Sequence, residues 1–122
     1  MSSPKNSPAN LQPITDPLEA SAILGAVERF DLASSPWWDA LDELSSQTVL
    51  EGLEANPDGI FNTPAGKFEA VGTAYVTLNY GGKRDAASMP DSFPVRIMGS
   101  FDRAANKVTI EDVQVDTSSF FE

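Results

Sequence analysis

Between Lys67 and Tyr80 the chain reads KFEAVGTAYVTLNY, and its apolar residues recur with a period of two. Phe68, Ala70, Gly72, Ala74, Val76, Leu78 and Tyr80 fall on one side. Lys67, Glu69, Thr73, Thr77 and Asn79 fall on the other, with Val71 and Tyr75 among them. Successive strand side chains point to opposite faces, so this pattern predicts a long strand with one buried face. At about 3.3 Å per residue such a strand crosses a small domain. The rest of the chain has to cover that face and pair with its edges.

Residues 1–15, MSSPKNSPANLQPIT, are rich in Pro, Ser and Asn and bury too little apolar surface to offset the entropy of ordering. They are expected to form a disordered tail or a linker to something upstream, followed by a single domain over 16–122. Asp16-Pro17-Leu18-Glu19 combines an N-cap residue with Pro in the first helical position. Leu18, Ile23, Leu24, Val27 and Phe30 follow at helical spacing, which predicts a helix over about 17–30. Ser35-Pro36 repeats the start signal. Trp37, Leu41, Leu44 and Thr48, spaced by four, three and four, mark one face of a second helix. Val49, Leu50 and Leu53 extend it, after a bend or as a separate short helix capped by Ser46. Asn56-Pro57-Asp58-Gly59 reads as the turn that ends the helical part.

Downstream, Gly59 to Thr63 reads as a short strand, and Pro64-Ala65-Gly66 turns the chain into the long one. A polar connection over 81–92 precedes a third strand at about 93–101, and Lys107 to Val115 is a fourth. In the fourth, Val108 and Ile110 are even-numbered while Val113 and Val115 are odd, so one extra residue near Glu111-Asp112, a β-bulge, restores the phase. The expected fold is α+β: N-terminal helices packed on one face of a curved four-stranded antiparallel β-meander. In element order and length it resembles the cystatin-like or nuclear-transport-factor-like shape. No family motif carries that resemblance, and fold does not determine function.

The chain has no His and no Cys. Ser-His-Asp and Cys-His catalysis, thiolate metal sites and disulfides are therefore excluded within it. No catalytic motif stands in it, no cofactor is expected, and the composition leans away from an enzyme. No run of about 18 apolar residues is present to span a bilayer, so a soluble, cytoplasmic protein is expected. Eighteen acids against eight bases give a net charge of −10, with no Lys or Arg between Phe30 and Gly66. Such a surface repels nucleic-acid phosphates and anionic membranes and attracts basic protein surfaces. The expected partner is accordingly a protein with a basic surface, with no direct nucleic acid and no membrane.

Individual candidates follow. Asp39, Asp42 and Glu43 share a helical face, which favours a solvated acidic surface over a Mg²⁺ site, since such sites usually add ligands from elsewhere. Trp37 and Trp38 differ by about 100° around a helix, placing Trp37 in the core and Trp38 at its rim. Tyr75 lies on the polar side of the long strand. Lys83 and Arg84 are the only local positive cluster, on a loop without P-loop spacing, and read as a solvated hairpin tip balanced by Asp85 ahead of a mobile contact for an acidic partner or a phosphate. Phe120 and Phe121 either fold back onto the sheet or anchor a partner. The candidate binding set is thus Trp38, Asp39, Asp42, Glu43, Tyr75, Lys83, Arg84, Phe120 and Phe121, with no metal. Glu69, Glu111 and Asp112 are strand carboxylates of the kind a metal-dependent nuclease presents, but no acid-x-Lys arrangement accompanies them.

The leading reading is a non-catalytic, acidic protein-interaction or accessory/regulatory domain. One alternative is a small-ligand or enzymatic pocket in a cone-shaped fold, lined by Tyr75, Tyr80, Trp38 and Glu69. The other is an accessory domain of a larger effector such as a nuclease.

Overall fold

A computed structural model of the chain describes residues 12–63, 66–81 and 86–121. Helix α1 spans Pro17–Arg29, with Asp16 Oδ1 accepting from Leu18 N at 3.0 Å and Pro in the first turn. Its buried stripe is Glu19, Ile23 and Val27, an i, i+4, i+8 row. Leu18, expected on the apolar face, lies one position off that row and is exposed. The buried Glu19 carboxylate is met by Arg103 Nη2 at 3.0 Å, so the charge is paired where it leaves water.

The second helix is much shorter than the spacing predicts. Two 3-10 turns, Leu32–Ser34 and Pro36–Trp38, lead into α2, only Asp39–Asp42. Ser35 caps as expected, its Oγ accepting from Trp37 N at 3.3 Å. Thr48, Val49, Leu50 and Leu53 belong instead to strand β2, Gln47–Thr63. The helical spacing of Leu41, Leu44 and Thr48 was a coincidence of two structures. The leucines are buried from the helical turn, and Thr48 is buried by strand alternation, its hydroxyl donating to Leu41 O at 2.9 Å.

Among the described residues the sheet has five antiparallel strands in the order β1-β2-β3-β4-β5, where four were expected. Strand β1, Gln12–Pro13, comes from the segment expected to be a tail and pairs with Asn62 and Phe61. Ile14 N donates to Ile60 O at 3.0 Å. Residues 1–11 of that segment lie outside the described residues. Strand β3, Lys67–Tyr80, is the long central strand; β4 is Ala87–Asp102 and β5 is Lys107–Val115. Strand β4 thus begins well before residue 93. It tolerates Pro90 and Pro94 because β5 pairs only with Val95–Asp102, which leaves the first half of β4 on a sheet edge.

Asn56-Pro57-Asp58-Gly59 does not end the helical part. It is a wide irregularity inside β2, between the pairs Ala55↔Gly72 and Ile60↔Ala70, with Asn56 Oδ1 accepting from Asp58 N at 2.9 Å. A smaller one lies between Leu50 and Gly52. The bulge expected in β5 is present: Met98 faces Asp112 and Gly99 faces Ile110, leaving Glu111 as the extra residue.

These irregularities bend the sheet around α1. That helix touches both β2 and β5, which have β3 and β4 between them, so the sheet curls to bring both to it. Phe68, Ala70, Ala74, Val76 and Leu78 on the inner face of β3 are at most 1% exposed. They pack in one core with Ile23, Val27, Leu32 and Leu41 from the helical side and Phe93, Val95 and Ile97 from β4. Two glycines sit where a neighbouring strand crosses closest. A Cβ on Gly72 would lie 2.1 Å from Glu54 O, and one on Gly99 would lie 2.1 Å from Thr109 O. Both obstacles are backbone. No helix among the described residues is long and apolar enough to cross a membrane.

Gly72→Ala and Gly99→Ala are each expected to lower stability by about 1–3 kcal/mol or more in urea unfolding, because the strand that must move is part of the ladder. Gly25→Ala should behave oppositely, gaining up to about 1 kcal/mol of helix propensity. Its added Cβ would meet only the mobile end of Arg29, at 3.1 Å.

Candidate functional site

The helices lie against one face of the sheet and, among the described residues, leave the other open. Strand pleating puts Lys67, Glu69, Val71, Thr73, Tyr75 and Thr77 on the open side. Cross-strand register adds Pro94 opposite Thr73 and Arg96 opposite Val71 from β4, and Gln114 opposite Arg96 from β5. From β2 it adds Val49 opposite Thr77 and Glu54 opposite Thr73.

The polar groups of this face are held by one another across strands. Tyr75 Oη donates to Glu54 Oε1 at 2.9 Å, and Thr77 Oγ1 donates to Glu51 Oε2 at 2.7 Å. The Tyr75 ring reaches Glu54 past Gly52, its Cδ2 about 4.0 Å from where a Gly52 Cβ would stand. That hydrogen bond, and then the negative charge of Glu54, push the Tyr75 phenol above its ordinary value. Lys67 Nζ lies 2.7 Å from Glu111 Oε1, and Arg96 Nε lies 3.2 Å from Glu69 Oε2. The hydrogen bond from Lys67 holds the Glu111 carboxyl below the usual carboxylate range. The Ser118 hydroxyl and amide do the same for Asp116. Between the charges, Val49, Val71 and Tyr75 are 39%, 38% and 41% exposed. Beside Val71 is an open cleft of about 490 Å³ lined by Pro94, Arg96, Gln114, Val115 and Asp116.

The residues singled out from sequence are distributed over the whole molecule. Asp39 and Asp42 are on α2 and Glu43 at its C-cap, all exposed. Trp37 and Trp38 are both half-buried against the core, so the rings share the boundary rather than dividing into core and rim. Phe120 packs on Phe93, with ring centroids 6.4 Å apart. Phe121 stacks edge-on to Phe120 at 5.3 Å and is 68% exposed. Lys83 and Arg84 lie outside the described residues.

The pocket constellation is divided by the sheet. Tyr75 and Glu69 face outward, whereas Tyr80 donates its hydroxyl to Leu44 O at 3.0 Å on the helical side, where Trp38 also packs. One strand cannot present odd and even positions to a single cavity. The nuclease-type carboxylates Glu69 and Glu111 do share the outer face, and the fold brings Lys67 to Glu111 from two strands away. No local acid-x-Lys pattern could show this. Among the described residues, no group of three or more Asp, Glu, His or Cys could hold a metal ion. Glu51, Glu54 and Arg96 escaped the sequence reading because their importance arises from register between strands.

The sequence model of one protein family, described as a predicted pPIWI-associating nuclease, matches residues 23–121. These residues run from the middle of α1 to the last turn, and the chain belongs to this family. Comparison with curated proteins and with solved structures found no match.

The Lys67–Glu111 pair makes a pH-dependent prediction. Because the folded-state value of Glu111 is depressed, its contribution to stability is present above the unfolded value and is lost as pH falls through the folded one. In Lys67→Met, the Glu111 carboxyl should titrate at higher pH than in the parent chain, as followed by side-chain carbonyl NMR.

Proposed function

We propose that this chain is an accessory, protein-binding domain of a larger pPIWI-associated nuclease effector, contributing contacts rather than bond cleavage. The family match over 23–121 carries the reading, since it spans nearly the whole folded unit. The lack of His and Cys supports a non-catalytic role, as does an inner face filled by side chains. The charge of −10 supports a basic protein partner and speaks against direct contact with nucleic acid. A cytoplasmic location and a single folded domain belong to the same proposal. The exposed candidates, Asp39, Asp42 and Glu43 around α2, Tyr75 on the sheet and Phe121 at the last turn, are the first residues to test as contacts.

A second reading makes the chain itself the nuclease. It is favoured by the family's description and by the placement of Lys67, Glu69, Arg96 and Glu111 on one open face. The two readings separate in one preparation. The chain is co-expressed with a pPIWI protein, fractionated by size, and each fraction is incubated with plasmid DNA and Mg²⁺ or Mn²⁺. Co-elution of the two proteins, with no cleavage by the chain alone, is the expected result. Cleavage by the chain alone that Glu69→Gln or Glu111→Gln abolishes would move the assignment to the second reading.

A further inference from the structure

We propose that the open face of the sheet, centred on Val71 and Tyr75, is the docking surface, and that its occupant is a basic protein segment with apolar side chains between its charges. This inference rests on the protein-binding reading above and assigns it a place and a partner chemistry.

The apolar part comes from a break in the pattern of β3. An antiparallel strand with one solvated face alternates apolar and polar residues, and β3 departs from that rule on its outer side at Val71 and Tyr75. Register places Pro94 between them on the neighbouring strand and brings Val49 in from β2, so the exposed apolar groups run across three strands. The cleft beside Val71 gives an incoming side chain room. The backbone there is ladder-bonded and Tyr75 is held by Glu54, so little conformational freedom remains to be lost on docking.

The charges around this strip identify the occupant. Lys67 and Arg96 are each already paired with an acid, whereas among the described residues Glu51 and Glu54 accept from hydroxyls and meet no basic side chain. An approaching cation therefore meets uncompensated carboxylates beside an exposed aromatic ring, while a phosphate or an anionic membrane meets repulsion. Around α2, Leu41 and Leu44 are buried and Trp37 and Trp38 are half-buried, so the acids there have less exposed apolar surface beside them. An apolar centre with a polar rim is the arrangement that carries protein interfaces.

The test uses the isotopically labelled full chain and a twelve-residue peptide alternating Arg and Val. Amide shifts are expected over 71–77 and 92–96, with affinity falling about tenfold between low and physiological salt as the charges are screened. Tyr75→Lys and Glu54→Lys should each weaken binding at least tenfold, and Asp42→Lys on α2 less than twofold. Shifts centred on 39–43, no shifts at all, or equal binding of a Glu/Val peptide would each overturn the assignment. The two proposals fail separately. If the peptide maps to the outer face but the pPIWI protein does not co-elute, the partner's identity is wrong and the surface stands. If co-elution survives both Tyr75→Lys and Glu54→Lys, the surface is wrong and the domain reading stands.

Discussion

Burial of alternate residues along β3 ties the two sides of this sheet together. Once Phe68, Ala70, Ala74, Val76 and Leu78 leave water against the helical layer, strand geometry sends Val71, Thr73, Tyr75 and Thr77 the other way. The small residues Ala70, Gly72 and Ala74 occupy the middle of the inner face, and the larger Phe68 and Leu78 lie toward its ends. A concave surface results, and α1 fits into it with Ile23 and Val27 buried.

Curvature on this scale needs interruptions in the ladder. They occur in β2 around Glu51 and over 56–59, and in β5 at Glu111. Gly72 and Gly99 lie close to two of them, where the adjoining backbone comes too near for a Cβ. Bulge and glycine are therefore one device: the extra residue tilts a strand inward, and the missing side chain admits it. The same bending brings the β4–β5 turn to α1, so that Arg103 reaches the buried Glu19.

The outer face inherits its character from this arrangement. The contacts of Lys67 with Glu111, Tyr75 with Glu54 and Thr77 with Glu51 join residues on different strands, between 21 and 44 positions apart. They make a polar surface of fixed geometry around three exposed apolar residues. Membership of a pPIWI-associating nuclease family gives such a surface a biological setting. On the reading proposed above, that setting is contact with a protein and not with a polyanion.

Local chemistry made much of the architecture legible in the residues themselves. The period of two from Lys67 to Tyr80 located the central strand, Asp16-Pro17 located the start of α1, and the phase slip between Ile110 and Val113 located the β5 bulge. Each of these depends on neighbours within a few residues. The misreadings share one physical cause. Thr48, Val49 and Leu53 fit a helical period, and Asn56-Pro57-Asp58-Gly59 fits a turn, until pairing with β3 draws the segment into β2, where the ladder is interrupted around Pro57. Likewise, Tyr75 could be placed on the polar side of its strand from sequence. That it meets Glu54 there, and that Lys67 meets Glu111, depended on register between distant segments, which only long-range packing sets.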